Sequence, residues 1–426
     1  MQRNNKRFKL TLNRINCLTI LIYFLMFVSK DTFFFGTNKS YAITNIPILV
    51  MTVYICLELL RNIKIKRSTR EQTILLSGII FIIIYIMLVI YHKELLQVAM
   101  VKLLCIVSAM FFTMHFSFDE YTEAFTRVMV FNAIAAIILE IIVYLLPAFA
   151  AILPRMTNSA GVQICNIGFA GMASYELNAA FVRAFGIFWE PGVFQIYLNL
   201  AIIFELFRRH TINWKRITVL IIGVLITFST SGYIITGWVM ISYILLTKKN
   251  TISSKTIVMF FILLVATVLV FVFVDLSYVS QTVFGKLTDE ESGSTIARQA
   301  SVFVNLQIFF DYPFTGIGMK SIQDEFILRS GRMFIRSSRH NTNTLLYQFA
   351  AHGIFYGGMF LFGTYRMTHC LTEKKMLRFA LFVSLILLYV GENLRYSMLP
   401  YIIMFYGYGT LRKNRSSGGN NVGKNF

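Results

Sequence analysis

Residues 72–91 read QTILLSGIIFIIIYIMLVIY, a run with no charged side chain. About 20 apolar residues in a helix match a hydrocarbon layer roughly 30 Å thick, and lipid offers backbone groups no partner outside their own helix. This stretch therefore reads as a membrane-spanning helix, and it sets the scale for the rest of the chain. Working outward, comparable segments occur at 15–35, 41–60, 95–115, 127–146, 191–207, 217–229, 232–246, 256–274, 343–362, 378–391 and 397–410. The sequence thus predicts an all-α polytopic membrane protein with about twelve transmembrane helices in one integral membrane domain, 1–426. Composition agrees: 56% of the 426 residues are hydrophobic and 14% charged, against about 45–50% and about 25% in soluble proteins. A soluble globular chain is excluded. Six prolines and the lack of a 20–50-residue repeat exclude disordered and solenoid classes as well.

The formal net charge is +20. In a soluble chain that would suggest nucleic acid, but in a membrane protein Lys and Arg are retained in cytoplasmic loops. A cytoplasmic N-terminus places Arg3, Lys6, Arg7, Lys9 and Arg14 inside, then RNIKIKRSTR (61–70), Arg127, both flanks of 217–246, YRMTHCLTEKKMLR (365–378) and the last tail. The short outer turns carry only Lys39, Lys93 and Arg395. Both termini, 1–14 and 411–426, are then cytoplasmic, and the charge is topological with no nucleic-acid partner. The segments 217–229 and 232–246 have basic residues on both sides, so they read as two short helices joined at STSG, Ser229–Gly232. The basic start runs into apolar sequence without a small-residue cleavage site, which predicts a retained first span in the plasma membrane. Five cysteines are scattered without metal spacing, so no metal or cofactor is expected.

Two long polar segments fall on the outer face, 147–190 and 275–342, where loops of that length usually carry a task. The first ends in RAFGIFWEPGVF, with Arg183 ahead of Glu190 and Pro191 opening the sixth span. A helix start with a nearby guanidinium suits a phosphate; the plainer reading is that Glu190 caps the helix and Arg183 pairs with it. The second carries STIARQASVFVNLQIFFDYPFTGIGM (294–319), in which Val302, Leu306, Phe309 and Phe310 mark an amphipathic helix on the membrane ended by Asp311–Pro313. Arg298, in its first turns, works against the dipole there and reads as a ligand for an anion or as a snorkelling side chain. Arg329, Arg332, Arg336 and Arg339 then precede His340. Four outer arginines oppose the positive-inside bias and suit phosphate or acidic sugar, unless Asp324 and Glu325 neutralise them. His340 is placed to move a proton near neutral pH. Within the spans lie Glu58, Lys102, Glu140 and Glu205, of which Lys102 and Glu140 are expected to pair.

Four motifs in order, RAFGIFWEPG (183–192), TFSTSG (227–232), STIARQ leading to FFDYPFTGIG (294–318) and RHNTNTLLYQFAAHGIFYGG (339–358), resemble the Wzy-type O-antigen and capsular polysaccharide polymerases, relatives of the WaaL-type O-antigen ligases. The match covers about 180–365, and span number and order are similar over the whole chain. One departure stands at Thr230, where members often carry arginine. The resemblance implies a GT-C-like, metal-independent glycosyltransferase on the outer face of a bacterial plasma membrane. Its substrates would be undecaprenyl-diphosphate-linked oligosaccharides, its setting membrane lipid, and its companions a flippase and a chain-length regulator. Arg183, Arg298 and Arg339 would hold the diphosphate, with His340 as base and Glu190 as reserve base. The ligase, which passes polymer to lipid A core, and a flippase or other transporter are the alternatives; few intramembrane charges and unequal halves count against transport.

Overall fold

The computed structural model describes residues 2–37, 41–62, 68–157, 162–174, 182–208, 211–247, 293–333, 338 and 340–411. The described chain is mostly helical. Helices α4 (Thr69–Tyr91), α5 (Leu96–His115), α6 (Phe118–Leu145) and α13 (Thr344–Leu371) are long and apolar enough to cross a membrane. Shorter apolar helices accompany them in α1 (Gln2–Phe27), α3 (Tyr41–Asn62), α8 (Pro191–Phe207) and α10 (Thr230–Thr247). The protein is a polytopic helical membrane protein. The expected span at 256–274 lies outside the described residues.

The first expected span stops short, at Phe27. Thr32 Oγ1 donates to Phe27 O (2.9 Å) and Ser29 O (3.0 Å), and this turn leads into the short α2 (Phe33–Thr37). The helical hairpin also bends earlier than expected. Helix α9 (Trp214–Leu225) ends before a turn in which Phe228 has φ 46, and α10 begins at Thr230 rather than after Gly232. At its far end the bundle is stapled by capping boxes, Ser68 with Glu71 on α4 and Ser117 with Glu120 on α6, each of which satisfies orphan helix N–H groups.

The all-α expectation fails in the segment 147–190. After the short α7 (Pro147–Ile152), the strands β1 (Arg155–Thr157), β2 (Gln163–Asn166), β3 (Gly171–Ala173) and β4 (Ala184–Gly186) form an antiparallel sheet in sequence order. Ile164, Cys165, Met172 and Phe185 are buried with Leu139 and Val143 of α6. An apolar face with no helical period must pair its backbone between strands, and the sheet does so. We call this the sheet end of the bundle.

The described part of the second long segment is helical over two stretches longer than the short helices expected there, α11 (Gly293–Asp311) and α12 (Ile322–Met333). The packed face of α11 is Ala300, Val304 and Ile308, set against Tyr347, Ala350 and Ala351 of α13, whereas Phe303 and Phe310 are exposed. The expected face of Val302, Leu306, Phe309 and Phe310 is therefore not the packed one: small residues let two helices approach closely, and the large ones turn outward. Helix α13 breaks at Gly353 (φ 74), and the 313–318 turn fills the break, with Ile354 N donating to Pro313 O (2.8 Å) and Ile317 N to Ala350 O (2.9 Å). A Cβ on Gly353 would lie 2.1 Å from Phe314 O, so the crossing requires glycine. Helices α14 (Lys375–Gly391) and α15 (Leu399–Tyr408) close the bundle against α13.

Lys102 does not pair with Glu140. Its buried Nζ lies 2.8 Å from Gln348 Oε1 and 2.6 Å from His352 Nε2, beneath the rings of Tyr85, Tyr347 and Tyr356. Glu140 instead accepts from Val182 N at 2.9 Å and ties α6 to the sheet. Each group thus has its own partners, the Gln348 amide and the His352 ring for Lys102 and the Val182 backbone for Glu140.

Candidate active site

The site is assembled at the sheet end from four segments distant in sequence. The first is the stretch from β4 into α8. Ala184 N donates to Ile226 O (2.9 Å) and Arg183 Nε to Thr227 O (3.4 Å), so the hairpin tip at Thr227 holds the base of the Arg183 side chain. Gly186 has φ 56, and a Cβ there would press on the Phe194 ring at 2.9 Å. Trp189 N donates to Asp31 O, fastening the following residues to the end of α1. Glu190 is the N-cap residue of α8 with extended backbone, and Pro191 follows at the first helical position. The Glu190 side chain makes no cap hydrogen bond, so the plain capping reading does not hold.

The second and third segments are α11, which brings Arg298, and the chain 338–343 before α13. Ser301 Oγ accepts from Thr342 N (2.8 Å), and Asn305 and Asn341 exchange amide hydrogen bonds at 2.9 Å in both directions. Ser301 lies one turn beyond Arg298 on α11, so these bonds fix the His340 backbone beside the arginine's helix. His340 itself is exposed, and its N–H donates to Ser338 Oγ at 3.2 Å.

The fourth segment is the turn between α14 and α15, and it supplies a residue that sequence reasoning missed. Glu392 is 3% exposed and lies at the C-cap of α14. Its carboxylate sits against the first turn of α8, where a Cβ on Gly192 would come within 1.9 Å of Oε1. Oε1 is also 3.8 Å from Arg298 Nη2, an ion pair too long for a hydrogen bond. Burial, and then the neighbouring Glu190 carboxylate, hold Glu392 well above the ordinary carboxylate range, while Arg298 and Arg183 pull the other way. Thr344 Oγ1 donates to Glu392 O (2.5 Å) and accepts from Leu394 N (2.7 Å), which sets the turn. Arg395 adds a bond from Nη2 to Asn341 O (2.8 Å) and stacks on Tyr347. The sequence signal for Glu392 is a single acid in the turn GENLR, three residues before Arg395.

The structure thus brings Arg183, Glu190, Arg298 and Glu392 together, with the His340 segment attached through α11. It does not add Arg329, whose guanidinium bonds Glu325 (Nε–Oε1, 2.6 Å) and Asp311, bridging α12 to α11. Two carboxylates already occupy the fork that was expected to bind phosphate. Arg332 is exposed in the last turn of α12, where a cation is favoured by the helix dipole. Arg336 and Arg339 lie outside the described residues.

Chemically, two guanidiniums at the start of a helix offer positive potential to an anion, and α8 contributes its dipole. The neighbouring carboxylates, one of them buried, are proton acceptors tuned by burial and by each other. No family model matches this chain, and comparison with curated proteins and with solved structures finds no match.

Proposed function

We propose that this protein is a polysaccharide polymerase acting on the outer face of the plasma membrane, joining undecaprenyl-diphosphate-linked repeat units into O-antigen or capsular polysaccharide. The observation that carries the reading is the convergence of Arg183 and Arg298, from two separate polar segments, on the buried Glu392 at the start of α8. In this reading the sheet end faces out of the plasma membrane and both termini lie in the cytoplasm.

Sugar donors outside the cytoplasm arrive on a lipid carrier, and transfer releases that carrier's diphosphate. A hydroxyl of the acceptor sugar attacks the anomeric carbon. The new C–O bond forms as the bond to the diphosphate breaks, the hydroxyl proton passes to a base, and undecaprenyl diphosphate departs. Direct attack inverts the anomeric centre. Arg183, Arg298 and Arg339 stabilise the charge growing on the leaving group, with a planar fork that lysine lacks. His340 takes the proton, with Glu190 in reserve. Arg332 and Arg336 belong to the approach for acidic sugar or phosphate. A flippase supplies the repeat units and a chain-length regulator acts alongside.

Chain-length ladders of surface polysaccharide test the reading, recorded for alanine variants of Arg183, Arg298, Arg339 and His340 at equal membrane abundance. Collapse of the ladder to a single repeat unit is expected. Unchanged ladders in all four would reject the site. In a strain lacking the protein, core bearing one repeat unit marks a polymerase, whereas core bearing none marks the ligase.

A further inference from the structure

At the end of the bundle away from the sheet, three basic side chains meet with no acid among them. Arg366 and His369 lie in the last two turns of α13, and Arg378 lies near the start of α14. Arg366 Nη2 donates to Thr410 O (3.1 Å), just past α15, and Arg378 Nη1 donates to His369 Nδ1 (2.6 Å). A guanidinium has no lone pair to offer, so the imidazole is the acceptor. The Tyr365 ring lies between His369 and Phe382, at 5.7 and 5.2 Å, and joins α13 to α14 beside the cluster. Both guanidiniums act electrostatically on His369, and Arg378 acts on Arg366. Like charges are thus held within reach of one another by bonds to neighbouring helices.

Among the described residues neither arginine forms an ion pair, and the Nε of each is buried without a hydrogen-bond partner. Glu373, in the turn between α13 and α14, is exposed and likewise forms no ion pair among them. The sequence has no Asp or Glu at 206–274, 326–372, 374–391 or 393–426. Elsewhere at this end, Glu71 and Glu120 close capping boxes, and Glu123 and Glu205 are taken by Arg208 and Arg216. A freely snorkelling arginine would swing into water, but these two are tied to Thr410 O and His369. Their counter-charge is therefore to be sought outside the chain.

The depth of the cluster says which anion. Arg366 lies about 8 Å inside the end of α13, and Arg378 about 5 Å inside the start of α14. Phe362, one turn deeper on the same face of α13, and Phe379, next to Arg378, are exposed large apolar side chains. A phosphate at headgroup depth with hydrocarbon beneath it meets all of these groups at once. We propose that Arg366 and Arg378 form a site for the phosphodiester of an anionic phospholipid, whose acyl chains lie along Phe362 and Phe379. The planar guanidiniums match phosphate oxygens. A net-negative headgroup is favoured, because one with its own ammonium would bring a further cation to a cluster without an acid. In the topology proposed above this is the inner leaflet, and the site takes no part in glycosyl transfer.

The test uses the full-length protein in dodecylmaltoside with added phosphatidylglycerol, phosphatidylcholine or sn-glycerol 3-phosphate, read by melting temperature and by native mass spectrometry. Phosphatidylglycerol is expected to raise the melting temperature and to stay bound, phosphatidylcholine to do so about fivefold more weakly, and glycerol phosphate to do neither. Arg366→Gln and Arg378→Gln should each lower the apparent affinity for phosphatidylglycerol about fivefold. Lys215→Gln, which removes an exposed charge from the same end, should leave it unchanged. The two arginines stand on different helices, so if one variant does not fold the other decides. Equal affinity for the two lipids, an undiminished phosphatidylglycerol response in the arginine variants, or an equal loss in Lys215→Gln would each overturn the proposal. A glycerol phosphate response matching that of phosphatidylglycerol would assign the cluster to soluble phosphate, and the lipid site would fall. Both readouts work without a sugar substrate, so they stand whatever the ladders show.

Discussion

The two ends of the bundle each gather arginines and glutamates, and they treat them in opposite ways. At the end away from the sheet, Glu123 on α6 accepts from Arg127 Nε (2.7 Å), from Arg216 Nη1 and Nη2 (2.9 and 3.0 Å) and from Arg208. Glu205, fully buried, pairs with Arg208 Nη2 (2.7 Å) and accepts from Asn213 N (2.7 Å). Those groups meet at hydrogen-bond distance and lock α6, α8 and α9 together. At the sheet end, Arg298 reaches the Glu392 carboxylate only at 3.8 Å, with 42% of its side chain exposed, and a second acid, Glu190, acts electrostatically on that carboxylate. A network whose charges are paired with one another at close range is a fastener, whereas charge held apart and partly open is capacity left for a ligand.

The largest effect that would break this contrast is loss of transfer at the sheet end. Arg298→Ala should lower polymer formation about 10²–10³-fold, the usual cost of removing one electrostatic stabiliser of a transition state, with membrane abundance unchanged. Gly192→Ala should be as severe by another route, because its methyl group would fall 1.9 Å from the Glu392 carboxylate and force the turn away from α8. Ladder length per unit of protein measures both. Near-normal ladders in Arg298→Ala would remove the distinction between the two ends.

Glu392→Gln sharpens the contrast by separating activity from stability. The folded chain holds the Glu392 carboxyl above its ordinary value of 4.5, chiefly by burial. A carboxyl raised in this way favours the folded state while it keeps its proton, and that contribution is lost as pH rises through the folded value. The amide resembles the protonated form. Glu392→Gln should therefore melt at or above the wild-type temperature in detergent, with the difference growing as the buffer becomes more alkaline from about pH 5, while ladders, whose base is His340, stay near wild type. Parallel melting curves at every pH would show that the carboxyl is not held in this way.

Much of this fold was legible because lipid imposes a simple rule. Uninterrupted apolar runs such as 72–91 had to be helical, and only the details of where they end needed packing information. Asp31 and Thr32 stopped the first run through turn hydrogen bonds that hydropathy does not register. The sheet was illegible because β2 and β3 are short, and their apolar residues at Ile164, Cys165 and Met172 look like any loop until Leu139 and Val143 are set beneath them. Within the site, Arg183 and Arg298 stood out as charges on the wrong side of a topological bias. Glu392 did not: nothing in GENLR states that α14 will end against α8, and Gly192 gains its meaning only from that contact.

At the fastened end, the expected effects are on stability. Glu123→Gln removes the negative charge shared by three arginines and turns one of its two accepting oxygens into a donor, which leaves Glu205 as the one carboxylate facing Arg208 and Arg216. That end is partly solvent-accessible, with Glu123 17% exposed, so a cost of about 1–3 kcal/mol is expected rather than the full penalty of a dry interior. The variant should melt earlier and be less abundant, with ladders normal per molecule. A shortened ladder at constant melting temperature would mean that this network serves transfer as well.

Arg329 gives the smallest effect and the finest cut. By sequence it reads as a phosphate ligand, yet its fork is filled by Glu325 and by Asp311 at the other end of α11 from Arg298, making it a local copy of the fastened end. Asp311 is half exposed, so solvent screens that pair, and Arg329→Ala should cost about 0.5–1 kcal/mol with ladder length unchanged. Asp311→Asn should behave in the same way, because it loosens the same bridge between α11 and α12 without touching Arg298. If Arg329→Ala shortens ladders while Asp311→Asn does not, the guanidinium acts on substrate and not on its neighbours. Proximity to an acid would then be a poor guide to which arginines are spoken for, and the boundary of the site would have to be drawn to include α12.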